Sequence, residues 1–508
     1  MQPGIACGAA FGWEAGVLAL LKSRVEPIAR TIRVSSTAAL AGFVPHYLAF
    51  YALATPLYTD RIAEWIMARM PSRYAVAILE HLGGWAKPWA CTGGLAALGF
   101  ILFIARLAGS FSPAKWRVAV VILSGLPMAM VLTWSCGYES FLGSAALWAQ
   151  ALAITAFWPF EQQLPTWAVQ MGRRNALAAL MGAGVVAVAG ESFLRNERLA
   201  RRAKQPVDLF PFEPPPDRQM FGAGLVRKNV TPTAEFYGMS KDTVDPVVDP
   251  KSWRLTVSVE GRPIRRYTYA ELLALPRQLR YVTLRCISNT LKSDLMGTAE
   301  WAGVTFSQLA DRRILPPEIV EVVLLGAEGH DDSLKIEYAF GPETLLALGM
   351  NGKTLSRTHG FPIRLLAPRY YGCRNVKWIR EIDFVSRSHP GTWQRLGYTD
   401  EPVVHIVSHI DRMRRDGQYI EFGGVSFAGS SGIRAVRVRA DRRPWQPAIL
   451  EPALSPYTWT RWTARLVAPL GALLEVNAQD GSGRWQALVK GNPFPSGLTG
   501  PTVVAARV

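Results

Sequence analysis

Leu284-Arg285-Cys286-Ile287-Ser288-Asn289 is the stretch on which the reading of this chain turns. It ends a strand-like apolar run, 281–286, and carries a thiol out of that run into a polar loop. The adjacent Arg285 would favour the thiolate, the metal-binding form of cysteine. A buried structural cysteine is the plain alternative, because free cysteine packs as a small hydrophobe. Of the five cysteines, Cys7, Cys91 and Cys136 lie in the apolar N-terminal part, which leaves Cys286 and Cys373. None pairs in a Cys-x-x-Cys, and so few cysteines make no disulfide scaffold.

Working outward, Asp294-Leu295-Met296-Gly297-Thr298-Ala299-Glu300-Trp301-Ala302-Gly303-Val304 comes next. His359-Gly360-Phe361-Pro362-Ile363-Arg364 follows, and then Tyr371-Gly372-Cys373-Arg374-Asn375-Val376-Lys377-Trp378. Upstream stand 231–237 and 245–255; downstream come Gly424-Val425-Ser426-Phe427-Ala428-Gly429, Gly432-Ile433, Tyr457-Thr458-Trp459 and Trp462. In this order the set resembles the molybdopterin domain of the sulfite oxidase family and its immunoglobulin-like accessory domain, over about residues 225–490. The upstream segment resembles the family's opening strand.

The resemblance implies a molybdopterin cofactor whose molybdenum takes one protein thiolate, Cys286. A soft thiolate suits a high-valent oxo-metal that cycles through two electrons. The pterin's phosphate needs cationic and N–H donors. Arg364 and Lys377 stand at the family's gripping positions, with Asn375 and Val376 lending main-chain groups. His359 and Tyr237 match pterin-contacting positions, and Asn289 closes the Cys-x-Gly-Asn loop. A capped loop histidine is the alternative for His359, and interfacial packing for Tyr237. Ser288 replaces the family's glycine, and Thr290-Leu291-Lys292 stands where animal-type relatives carry anion-binding arginines. The substrate is therefore any small polar molecule, sulfite-like or sulfoxide-like. His330, in Glu328-Gly329-His330-Asp331-Asp332, reads as a surface-loop residue rather than one facing the substrate.

Composition sets the frame around these motifs. The 508 residues are 49% hydrophobic, which excludes disorder, and the length suggests about three domains. Residues 1–205 carry 18 basic and 9 acidic side chains, leaving 38 and 30 for residues 206–508. The first part is charge-poor. Its uncharged runs, 34–59, 88–105, 118–138, 140–160 and 175–190, predict about five membrane-spanning helices. Their flanking Lys and Arg place the N-terminus inside and the later domains outside the cytoplasm. They also account for basic residues that would otherwise suggest nucleic acid, so none is expected. Arg173-Arg174 ahead of a weakly apolar run looks like a twin-arginine export signal, with interfacial anchoring the alternative.

The expected fold is a polytopic α-helical membrane region (1–194), a basic, Pro-rich and extended linker (195–235), an α+β sulfite-oxidase-like molybdopterin domain (236–400) and a C-terminal immunoglobulin-like β-sandwich (401–508). No Cys-x-x-Cys-His haem motif occurs, and His389-Pro390-Gly391 lacks the rest of a b5 site. His46 and His81 lack the helical pairing of membrane-haem ligands. Electrons are therefore expected to pass to or from a separate carrier, cytochrome or quinone-linked. Membrane lipid is a further expected partner, and homodimer pairing through the sandwich stays open. The expected function is a membrane-anchored molybdopterin oxidoreductase. A cofactor-free binding or scaffold protein is the alternative, and a transporter is disfavoured by the lack of intramembrane ion pairs.

Overall fold

The computed structural model describes residues 206–216, 224–241, 245–290 and 294–506, together with the single residue Ile104. From the N-terminal side the elements are β1 (Arg254–Val259), β2 (Arg262–Thr268), α1 (Tyr269–Ala274), β3 (Gln278–Arg285), β4 (Met296–Val304), α2 (Phe306–Leu309), β5 (Glu321–Gly326), β6 (Asp331–Lys335), α3 (Ile336–Ala339), β7 (Leu345–Met350), β8 (Lys353–Thr354), β9 (Arg364–Leu366) and β10 (Ile379–Val385). After α4 (Thr392–Arg395) come β11 (Val407–Asp416), β12 (Tyr419–Phe427), β13 (Ile433–Ala440), β14 (Gln446–Pro447), β15 (Ile449–Leu450), β16 (Thr460–Val467), β17 (Leu473–Asp480) and β18 (Thr502–Ala505).

This architecture corrects the polytopic expectation. Among the described residues no helix is long and apolar enough to cross a membrane, and the longest, α1, has six residues. The fold is sheet-rich. The five apolar runs, His46, His81 and Arg173-Arg174 lie outside the described residues.

Two five-stranded sheets build the first half. One runs β2-β1-β10-β5-β6, with β1 and β10 parallel; the other runs β3-β4-β7-β8, and β9 pairs with β7. Leu255, Val257, Val322, Leu324, Ile382 and Phe384 fill the core with Leu346, Leu348 and Leu365 from the second sheet. Strand β4 approaches β7 closely: a Cβ on Gly303 would lie 2.3 Å from the Leu346 carbonyl oxygen, so glycine is needed there. The C-terminal half is a sandwich of two antiparallel sheets, β11-β12-β16-β15 and β14-β13-β17-β18. Phe422, Trp462 and Leu466 of one sheet meet Val438, Leu474 and Val476 of the other. Ser455 to Trp459 tie the sandwich to β3, because Thr283 donates its amide to the Tyr457 carbonyl (2.9 Å) and accepts from the Trp459 amide (2.9 Å).

Two further expectations are corrected. The linker is not a free spacer throughout: the Leu209 and Phe210 amides donate to the Gly352 carbonyl at 2.8 and 3.1 Å. The Leu209 side chain would lie 2.6 Å from a Cβ on Gly349. Leu209, Phe210 and Phe212 give this stretch an apolar face to bury before the proline run stiffens it. Residues 231–237 form turns around Pro232 rather than a strand, and the first ladder begins at Arg254.

Candidate active site

Strand β3 sinks along its length, with Gln278 and Leu279 exposed and Val282 to Arg285 buried, and so delivers Cys286 to the interior at 9% exposure. The loop after it closes on itself. The Cys286 amide donates to the Leu295 carbonyl (2.9 Å), the Asn289 amide to the Cys286 carbonyl (3.2 Å), and Asn289 Oδ1 accepts from the Leu295 amide (3.1 Å). Burial pushes the thiol pKa up, while the Ser288 amide and hydroxyl, the Arg285 charge and the Ile287 amide pull it down. The sulfur therefore sits among donors rather than in hydrocarbon. A bound metal would complete its ionisation.

Tyr237 reaches the same place. A Cβ on Gly372 would lie 2.8 Å from the Tyr237 hydroxyl and 3.8 Å from Cys286 Cα, so a residue with no side chain lets the three converge. The Tyr237 ring stacks on Phe236 at 5.4 Å. Burial raises its hydroxyl pKa far above the ordinary tyrosine value.

Gly360 organises the cationic side. It adopts φ +101°, and a Cβ there would lie 3.0 Å from Lys377 Cβ and 3.1 Å from Arg364 Cβ. The two cations thus flank one glycine. Arg364 is 6% exposed and makes only long contacts to carbonyls: His359 (3.3 Å), Leu365 (3.5 Å) and Asn375 (3.5 Å). Its guanidinium lies 5.3 Å from the Trp301 ring centroid, and among the described residues no carboxylate pairs with it. Burial lowers its pKa to about 10. Buried cations ordinarily carry an acid beside them. A guanidinium left with weak carbonyl contacts fits a ligand's phosphate, which it can grip with two parallel bonds. Lys377 Nζ donates to Ser240 Oγ and the Thr358 carbonyl, both at 2.9 Å.

His359 is buried, and its Nε2 lies 3.0 Å from the Thr233 carbonyl, to which it donates. Burial, reinforced by Arg364 and Lys377, lowers its pKa to about 4 against the Thr233 bond, so the ring is neutral. Asn375 is consumed structurally: Oδ1 accepts from the Ala367 amide (2.7 Å) and Nδ2 donates to the Tyr371 carbonyl (3.0 Å). Val376 donates its amide to the Arg374 carbonyl (3.1 Å) and accepts from Leu365 (2.8 Å), so both its main-chain groups are occupied. The structure thus brings Tyr237, Cys286 and Asn289 together at one end and His359, Arg364 and Lys377 at the other. Asn375 and Val376 brace the segment between.

Several lining residues escaped the sequence reading. The Tyr398 hydroxyl bonds the Ser288 side chain and senses both Cys286 and Cys373; burial lifts its pKa to about 12. Trp393 and Phe494 stand edge-on to Tyr398 at 5.7 and 5.2 Å. Phe494 comes from the loop between β17 and β18, which no local pattern links to Cys286. His330 is corrected: it is 7% exposed, its ring stands edge-on to Trp393 at 6.3 Å, and burial lowers its pKa to about 4. The segment 389–395 covers this turn, bonding Asp331 through His389 Nε2 (2.8 Å) and Arg395 Nη2 (2.6 Å). Lys292 lies outside the described residues.

With this geometry in place, comparison with known proteins gives the class. Residues 242–393 match the family described as "oxidoreductase molybdopterin binding domain". The chain carries a molybdenum-cofactor oxidoreductase domain, and its cofactor is molybdopterin. Among individual proteins, the uncharacterized oxidoreductase YuiH of Bacillus subtilis (strain 168) is 29% identical over 182 residues, covering 36% of this chain and 89% of that protein. The mitochondrial sulfite oxidase of Drosophila melanogaster is 27% identical over 384 residues. That match covers 64% of this chain and 65% of the sulfite oxidase, just under two thirds of its length. A solved structure of the sulfane dehydrogenase SoxCD from Paracoccus pantotrophus aligns at TM-score 0.46 and 21% identity, over 51% of this chain and 75% of that one.

Proposed function

We propose that this chain performs two-electron oxidation, or oxygen-atom transfer, on a small polar substrate that is sulfite-like or sulfoxide-like. A separate cytochrome or quinone-linked carrier exchanges the electrons. The observation that carries the reading is the pairing of a buried thiol ringed by donors with a buried guanidinium that lacks a carboxylate. Such a pair awaits a ligand with a soft metal at one end and a phosphate at the other.

In this reading Cys286 is the metal ligand, and Arg364 and Lys377 hold the phosphate. Neutral His359, fixed by Thr233, and the Tyr237 hydroxyl contact the pterin. The bound cofactor supplies the two-electron redox chemistry. Tyr398, held protonated at neutral pH, is the hydroxyl donor facing the reacting end, and Trp393 and Phe494 keep bulk water from it. The Arg173-Arg174 pair supports one further part of the proposal, export of the folded domain to the extracytoplasmic side. A cofactor-free scaffold would gain nothing from an unpaired buried guanidinium.

Metal analysis of the purified full chain, with and without Cys286→Ala, tests the proposal. Molybdenum near one per chain is expected in the wild type, with one sulfur neighbour fewer on any metal that Cys286→Ala retains. Molybdenum in Cys286→Ala with an unchanged sulfur count would reject the ligand assignment.

A further inference from the structure

We propose that Arg285 is a positioning residue that fixes the Cys286 loop and keeps a permanent positive charge behind the ligating sulfur, so raising the reduction potential of the metal there. The inference rests on the assignment of Cys286 made above. Arg285 closes β3 and is fully buried, at 0% exposure. Its guanidinium lies 5.5 Å from the Tyr371 ring centroid, donates from Nη1 to the Tyr371 hydroxyl (3.1 Å) and from Nη2 to the Asn289 carbonyl (3.4 Å). The second bond ties the arginine to the far end of the Cys-Ile-Ser-Asn loop. Among the described residues Nε has no partner and no carboxylate pairs with this group.

The surroundings give it no countercharge. His405 and His409 are held neutral, mainly by burial and further by the charge of Arg285. Arg227, which acts on the same His409, is engaged by Asp411 (2.6 Å) and Asp294 (2.6 Å). Tyr371 is kept protonated by burial. A buried, uncompensated guanidinium is costly unless a negative charge stands near it. The thiolate of the next residue, with the anionic group it holds, supplies that charge. A cation fixed in a low-dielectric interior favours the state of a metal centre with more electrons. Arg285 therefore acts through Cys286 and the loop it ties to Asn289.

The test is a redox titration of the molybdenum in the full chain, followed by the paramagnetic one-electron-reduced signal. Arg285→Gln should lower the midpoint so that the oxidised-to-reduced ratio shifts at least tenfold, which is 59 mV for a one-electron couple. Arg285→Lys, which keeps the charge, should stay within that shift of the wild type. An unshifted midpoint in a loaded Arg285→Gln chain overturns the proposal. If Arg285→Gln takes up no metal, Arg285→Lys and Tyr371→Phe decide. Both retain the cation and should titrate like the wild type, and a tenfold shift in either would show that loop geometry, not charge, sets the potential. A wild-type chain without molybdenum, or a Cys286→Ala chain whose metal keeps every sulfur neighbour, overturns the ligand assignment instead, so the two failures are distinct.

Discussion

Several arginines of the sandwich have carboxylate partners, as Arg374 of the first half has Asp332 at 3.3 Å, whereas two buried arginines of the first half, Arg285 and Arg364, do not. In the sandwich, Arg461 pairs with Glu451 at 3.4 Å and Arg439 with Glu475 at 2.6 Å, so charge is balanced within the protein. Among the described residues, Arg285 next to Cys286 and Arg364 next to Gly360 have only carbonyls, a hydroxyl and aromatic rings as partners. Arg285 and Arg364 hold buried positive charge that no described carboxylate balances, a feature of candidate sites rather than of finished scaffolds.

The contrast breaks first at its strongest point. Arg461→Met leaves the buried Glu451 carboxylate without its guanidinium and should cost about 3–5 kcal/mol, read from the denaturation midpoint. Arg364→Met should do the reverse. The cofactor-free chain should keep its stability or gain some, while cofactor retention falls by one to two orders of magnitude, because a charge-assisted bond contributes about 1.5–3 kcal/mol. A loss of apo stability as large as that of Arg461→Met would erase the distinction.

Acid acts on buried groups of the first half. His330 and His359 have folded pKa values lowered to about 4, below the ordinary histidine value, so the folded state binds fewer protons. Their contribution is complete above pH ~6.5 and is lost as pH falls toward 4; at about 1.36 kcal/mol per unit it is on the order of 3 kcal/mol each. Asp332 works the other way. Burial raises its pKa to about 6 despite Arg374, so it adds stability as pH falls from 6 toward its ordinary value. Net stability should therefore drop between pH 6.5 and 4.5 in chemical denaturation. His330→Gln should flatten that slope, and Asp332→Asn should steepen it.

The smallest effect is at Ser288. Ser288→Ala removes a hydroxyl that bonds the thiol and Tyr398, and should cost about 1 kcal/mol while raising the Cys286 pKa further. Thiol alkylation rates against pH in the cofactor-free chain would detect it.

The strands were legible where alternation met a turn residue. Ile433–Ala440 is a strand with the bounds its pattern suggests, because alternate residues face the sandwich core and Gly432 at φ +65° opens it. The meeting of Arg364 and Lys377 was anticipated from the order of motifs along the chain, and the structure sets both against Gly360. Tyr398 and Phe494 were not, since separate loops meet only in three dimensions. His330 misled because Glu-Gly-His-Asp-Asp is polar in sequence, whereas the 389–395 segment covers it in the fold. Leu209 and Phe210 misled in the opposite sense, their proline context hiding a docking edge on Gly352. The long apolar runs suggested a helical membrane region, yet no described helix could cross a membrane.

The most direct measurement is molybdenum-edge X-ray absorption of the full chain and of Cys286→Ser, counting sulfur neighbours of the metal. The substituted chain, where it retains any molybdenum, should show one sulfur fewer. An unchanged sulfur count would mean that the metal is held elsewhere.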